Sequence, residues 1–136
     1  MTTSSAQAAP ATTVEVPEAT IVLEAGEQYA GLVLDTETGQ PLHHLILLAT
    51  RPDKRLAWQA AKDWAASVGG ELPTRQEQAL LYANCKRHLN PARYWSSEQY
   101  EHDASYAWYC GFGGGTQDIN DVGFEACAVA VRRLTA

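Results

Sequence analysis

Residues 71–75 read Glu71-Leu72-Pro73-Thr74-Arg75, and Glu77 stands three positions after the threonine. This spacing predicts a helix start in which each side chain serves a backbone donor. The Thr74 hydroxyl accepts from the N–H of Glu77, and the Glu77 carboxylate reaches back to the N–H of Thr74. The apolar residues that follow occupy two faces, Ala79, Leu80 and Ala83 on one and Leu81, Tyr82, Cys85 and Leu89 on the other. That is the pattern of a helix held between two surfaces. Asn90-Pro91 ends it, because a residue before proline is pushed out of the helical region.

Upstream of this start, Ala57, Ala60, Ala61, Trp64, Ala65 and Val68 fall within one arc of a first helix, opposite Gln59, Lys62, Asp63 and Ala66, and Gly69-Gly70 stops it. The alanines permit close approach to a sheet, while Trp64 supplies most of the buried area and reads as core. Trp58 sits at the edge of the arc. Further upstream, residues 19–24 read as a first strand, and residues 29–34 and 42–48 as a hairpin turning through residues 35–39, where Gly39 suits a positive φ. Successive strand side chains point to opposite faces, so the neighbours His43 and His44 do not grip one metal ion and read as strand residues without a catalytic or metal role.

Downstream, the chain becomes short strands and long turns, with strands expected at 94–97, 105–112 and 125–134. In the middle one, Tyr106, Trp108, Cys110 and Phe112 share a face, and Ala107, Tyr109 and Gly111 share the other. No internal repeat and no second shift of composition appear, so residues 18–136 form one α+β domain, with two helices packed on a small antiparallel sheet and a loop-rich C-terminal half. Residues 1–17 are rich in Ala, Thr, Ser, Pro and Gln and have little to bury. They are expected to form an extended or disordered arm, ordered only against a partner, which suggests attachment to a larger assembly.

The 136 residues suffice for one core, and the formal charge of -6, with ten scattered basic residues, argues against a nucleic-acid partner. No apolar run is long enough for membrane insertion, and the N-terminal stretch lacks the basic and apolar regions of a secretory signal. Cys85, Cys110 and Cys127 form an odd set, so reduced thiols folded in a cytosol are expected, with a Cys110–Cys127 pair open if their strands are neighbours.

The glycine-rich stretch 111–115 reads as a hairpin tip. A phosphate loop needs a following helix and usually a lysine, and here Thr116-Gln117-Asp118 follows. Asp118, Asn120 and Asp121 are oxygen ligands of the kind calcium prefers, but calcium takes about six to eight oxygens. No metalloprotease motif or serine elbow is present, so the expectation is a protein that is not an enzyme and carries no cofactor or metal. The candidate binding surface comprises the loops 98–104 and 113–124, carrying Tyr100, His102, Asp103, Gln117, Asp118, Asn120, Asp121 and Phe124, with Tyr109 beside them. Aromatics among small polar groups suit binding, since tyrosine gives contact area with little rotamer entropy and amides supply adaptable hydrogen bonds.

In combination, the tryptophan-bearing helix ending in Gly69-Gly70, the Leu72-Pro73-Thr74-Arg75 lead-in, Tyr94-Trp95-Ser96-Ser97, Ala107-Trp108 with Phe112, and the closing Val131-Arg132-Arg133-Leu134 resemble one family. This is the C-type-lectin-like domain of phage and bacterial surface proteins, named after the C-terminal domain of a bacterial collagen-like adhesin. The resemblance runs from about residue 27 to 134. It implies Trp108 and Phe112 as core positions, Tyr109 looking outward, and variable ligand-contacting residues on the loop-rich face. Some lectins of this fold hold sugar through calcium, yet their Glu-Pro-Asn or Gln-Pro-Asp tripeptide is absent, and Asn120-Asp121 lacks the preceding tryptophan of their Trp-Asn-Asp motif.

The implied function is a non-enzymatic binding module of a phage particle. It would sit at the tail tip or a tail fibre, be made in the host cytoplasm, and contact a host surface protein or glycan. Its arm would meet other virion proteins, and a homo-oligomer is compatible. The alternative is a structural virion subunit, a capsid decoration or tail connector attached through the arm. A third reading is a copper-dependent oxidase related to formylglycine-generating enzymes, with Cys110 and Cys127 as the copper pair.

Overall fold

The computed structural model describes residues 13–16 and 18–136. Most of the expected arm, residues 1–12 and 17, lies outside the described residues. The fold is α+β, with two helices and two three-stranded antiparallel sheets in place of the one sheet expected. The first sheet has the order β1-β2-β6, from β1 (Gln28–Leu34), β2 (Pro41–Leu47) and β6 (Val131–Thr135). The second has the order β3-β4-β5, from β3 (Arg93–Gln99), β4 (Tyr106–Gly111) and β5 (Thr116–Asp121). Between them in sequence lie α1 (Trp58–Ser67) and α2 (Arg75–Cys85), the latter followed by a 3-10 turn, Lys86–His88.

Three expectations about strands fail. Residues 19–24 form no strand, because their backbone finds no partner strand; its hydrogen bonds run from the Arg132 guanidinium to the Val22 carbonyl and between Glu24 and Glu27. The last strand is shorter than 125–134. Residues 126–130 instead cross between the sheets, bridging Leu56 at Ala126 and Tyr94 at Cys127 before β6 begins. The stretch expected as loop 113–124 contains β5, paired along its whole length with β4. The β1–β2 hairpin, Gly39 in the positive-φ region at +72°, and the capping box of Thr74 and Glu77 all form as the sequence predicts.

The first helix ends where two glycines permit it. Gly69 takes a φ of +82°, and a Cβ on Gly70 would come within 2.8 Å of the Val131 carbonyl. The chain thus turns against β6 with no side chain in the way. Ala61 and Ala65 of α1 are fully buried, and the indole of Trp58 donates to the Ser96 carbonyl at 2.9 Å. Trp64, expected as core, is partly buried and packs at the edge of the core, while Trp58 and Trp95 fill it.

The core has two clusters separated by a layer that feeds both. Ala126, Ala128 and Ala130 face the tryptophan cluster of α1, whereas Cys127, Val129 and Val131 face the cluster under α2. In β3, Trp95 joins the first of these and Tyr94 the second. Period-two alternation in an extended segment buried on both sides puts small residues against the large indoles and larger side chains against α2. Three alanines therefore make room for two tryptophans.

Glu77 ties the helix start to the first sheet. Its carboxylate, 1% exposed, accepts from the Thr74 N–H at 2.9 Å, from Nε and Nη2 of Arg133 at 2.7 and 2.8 Å, and lies 2.7 Å from Nε2 of His43. Burial pushes this carboxyl up, but Arg133, the Thr74 N–H and His43 together outweigh it and hold it below the ordinary glutamate range. The expectation that His43 and His44 face apart is met, since His44 instead lies 2.8 Å from the Tyr29 hydroxyl through Nδ1. His43 acts as a structural partner of Glu77.

Two tests follow from these contacts. Trp95 is completely buried, and Trp95→Ala is expected to cost about 3–5 kcal/mol in urea denaturation. Trp64→Ala is expected to cost less, and equal losses would contradict the core assignment. Because the folded-state pKa of Glu77 is depressed, its stabilisation is present above the unfolded value of about 4.3 and is lost as pH falls through the folded value. Glu77→Gln is expected to destabilise by about 2–4 kcal/mol at neutral pH. The gap to the native chain should narrow below about pH 4 in acid denaturation, and a gap that stays constant would remove Glu77 from the linkage.

Candidate ligand-binding face

The two aromatic neighbours in β4 lie opposite to the expected arrangement. Trp108, expected as core, is outside both core clusters, and Tyr109, expected to look outward, packs against the tryptophan cluster. Phe112 is core as expected. Register explains the difference. Ala107 is fully buried on the α1 side and Tyr109 follows it on that face, so Trp108 projects from the other face, beyond the first turn of α2.

There Arg75, the first residue of α2, receives it. The guanidinium carbon stands 3.5 Å from the Trp108 ring centroid, a cation–π contact. Arg75 is itself fixed by a reciprocal pair with Gln117 of β5, Nε donating to Oε1 at 3.0 Å and the Arg75 carbonyl accepting from Nε2 at 2.7 Å. Its backbone N–H donates to Glu98 at 2.7 Å, which places a carboxylate at the positive end of the helix. Tyr100 meets Trp108 edge-on at 5.8 Å, and His102 meets Tyr100 at 5.2 Å. Tyr106, 37% exposed, and Ile119 share this face with Trp108.

The pleat divides the nine residues expected at one surface. Pairing of Tyr106 with Asp121 and of Cys110 with Gln117 puts Gln117 and Asp121 on the Trp108 side, near Tyr100 and His102. Pairing of Tyr109 with Asp118 and of Ala107 with Asn120 puts Tyr109, Asp118 and Asn120 on the opposite side. Phe124 packs there against the tryptophan cluster, and Arg93 lies 5.2 Å from the Tyr109 ring and 5.6 Å from that of Phe124. Asp103 is exposed and turns back to accept the Ser105 N–H.

The carboxylate and amide oxygens of β5 are largely engaged locally. Asp118 accepts the Ile119 N–H, Asn120 that of Asp121, and Asp121 that of Gly123. With Asp121 on one face and Asp118 and Asn120 on the other, the three do not converge on one ion. Among the described residues, no group of three or more His, Cys, Asp or Glu side chains is placed to hold a metal.

Cys110 and Cys127 also stay apart. Tyr94 pairs with Cys110 on one side and with Cys127 on the other, so a whole strand intervenes. Two strand spacings are about 9–10 Å, beyond the span of a disulfide. All three cysteines are free, and burial pushes the thiols of Cys85 and Cys110 up, away from the thiolate form.

No protein-family model and no curated protein matches the chain. The sequence reading missed Arg75, Tyr106, Trp108 and Ile119 as members of this face. The available signal was the shared parity of Tyr106 and Trp108, which by itself does not say which side of the strand is buried.

The two aromatics of β4 therefore separate binding from stability. Tyr109→Ala is expected to cost about 2–4 kcal/mol through lost packing. Trp108→Ala should cost about 1 kcal/mol, the scale of an exposed cation–π contact with modest burial. Thermal and urea unfolding of the two variants reads this out directly, and a larger loss for Trp108→Ala would return Trp108 to the core.

Proposed function

We propose that the chain is a non-enzymatic binding module that meets its ligand with the outward face of β4 and β5. The supporting observation is Trp108, a partly exposed indole held in place by Arg75 and flanked by Tyr100, Tyr106 and Ile119. A flat ring fixed by a guanidinium pays little ordering entropy on contact, which is the property of an interface anchor. Gln117, Asp121, His102 and Glu98 surround it with hydrogen-bonding groups. Such a mixture suits a protein loop or the apolar face of a sugar ring.

The finer reading is a C-type-lectin-like domain of a phage particle, at the tail tip or a tail fibre, contacting a host surface protein or glycan. It rests on the resemblance of the Leu72-Pro73-Thr74-Arg75 and Tyr94-Trp95-Ser96-Ser97 segments, and the α+β arrangement of two helices with small antiparallel sheets is compatible with it. A second reading, a structural virion subunit attached through its N-terminal segment, draws on a separate observation. Val14 and Val16 in that arm are 52% and 69% exposed, apolar side chains suited to being covered by another chain.

Two measurements test these readings. In an array of bacterial surface glycans and proteins, the full chain should bind, and Trp108→Ala with Tyr106→Ala should lose about tenfold or more in affinity while the melting temperature shifts by a few degrees. Unchanged binding would remove the face from function. Imaging of intact particles with the labelled protein should place few copies at the tail for the first reading, and many over the shell for the second.

A further inference from the structure

The ten basic residues look scattered in the sequence, but the fold gathers some of them. The loop between β2 and α1, the 3-10 turn after α2 and the crossing segment enclose a cleft of about 310 Å³ lined by Arg51, Lys54, Arg55 and His88, with Tyr94 and Cys127 in its wall. Asp53 is the one acid lining it, so three permanent cations face one carboxylate in a chain whose net charge is -6.

Arg51 is the informative member. It is half-buried, and among the described residues no carboxylate lies within ion-pair distance of it. Its Nη1 donates to the carbonyls of Leu48 and Thr50, while Nε and Nη2 make no hydrogen bond among the described residues. That leaves the Nε–Nη2 edge, the geometry that grips two oxygens of an oxyanion at once. Burial pulls the Arg51 pKa below its ordinary value. A guanidinium drawn partly out of water without a counter-charge is a cost that a bound anion removes.

The cleft wall supplies a neutral donor as well. The Tyr94 hydroxyl oxygen accepts the Asn90 N–H at 3.0 Å, and its own proton has no acceptor among the described residues. Burial pushes the Tyr94 pKa up, which keeps that proton in place at neutral pH. Lys54 and Arg55 are exposed at the rim, where they attract and neutralise charge without having to be desolvated first.

We propose that this cleft is a binding site for a tetrahedral oxyanion, the phosphate or sulfate monoester group of a small molecule such as a modified sugar. The Arg51 fork takes two oxygens, and Lys54 and Arg55 balance the charge. The volume is at the lower end of small-molecule sites and holds an oxyanion with a body of about monosaccharide size. The site is separate from the Trp108 face and does not depend on it.

The test uses the full chain and four probes at constant ionic strength: inorganic phosphate, inorganic sulfate, glucose 6-phosphate and glucose 6-sulfate, titrated by calorimetry or by NMR shifts. At least one ester is expected to bind saturably with a dissociation constant below about 5 mM, and tighter than its parent ion. The stronger of the two esters identifies the source of the anion. Lys54→Gln with Arg55→Gln, both exposed and so not expected to disturb folding, should weaken that binding about tenfold, and Arg51→Lys should weaken it while keeping the charge. Absence of saturable binding for all four probes would overturn the proposal. So would equal affinity in the Lys54→Gln, Arg55→Gln variant with an unchanged melting temperature.

Discussion

The rest of the structure depends on what the first turn of α2 does with its side chains. Glu77 closes the capping box and, through Arg133 and His43, fastens the helix to β6 and β2 of the first sheet. Its neighbour Gln78, fully buried, donates to the Tyr94 carbonyl at 2.9 Å and fastens the same turn to β3 of the second sheet. A buried carboxylate has room for about four hydrogen bonds, and Glu77 fills them from three elements far apart in sequence. One helical turn therefore sets the position of two sheets that share no ladder of their own. Losing Arg133 would strip this buried carboxylate of its permanent counter-charge and of two of its four hydrogen bonds, which is the costly way to break such a contact.

The same turn creates the candidate binding face. Arg75 is the first residue of α2, and the capping geometry that fixes Thr74 and Glu77 directs Arg75 outward, over β4 and β5. Trp108 meets a cation there in place of a hydrophobic wall. On the other side of the same strand, Ala107 and Tyr109 close the tryptophan cluster. The exposure of one aromatic and the burial of the next thus follow from the alternation of β4, one face of which meets the start of α2 and the other the tryptophan cluster.

The Trp108 face and the basic cleft differ in their chemistry. At the face, Arg75 is engaged by hydrogen bonds with Gln117 and by the ring, and Glu98 caps the helix. In the cleft, charge is left over, with the free edge of Arg51 as its clearest sign. The first surface suits large, weakly polar contacts, and the second suits a compact anion.

The face of α2 that carries Ala79, Leu80 and Ala83, expected to be packed, stays open with Ala79 and Ala83 exposed, but sequence by itself determined the other local features: the helix start at Thr74, the glycine stop after α1, and the β1–β2 hairpin. Each of these is written in residues a few positions apart, where propensity and capping operate. Tertiary structure decided the remainder. Residues 116–121, rich in Asp and Asn, read as turn, and they became β5 because β4 offered a free edge whose hydrogen bonds outweigh that local preference. Which side of β4 is core was not legible either. A strand flanked by alanine on one side and by a helix terminus on the other carries no clean alternation, so its parity is fixed by packing. Glu77 and Arg133 lie 56 residues apart, and nothing in either segment names the other. Long-range partners, strand parity and the gathering of Arg51, Lys54 and Arg55 into one cleft depend on where the sheets come to rest, which is set by the summed burial of both clusters rather than by any single stretch of sequence.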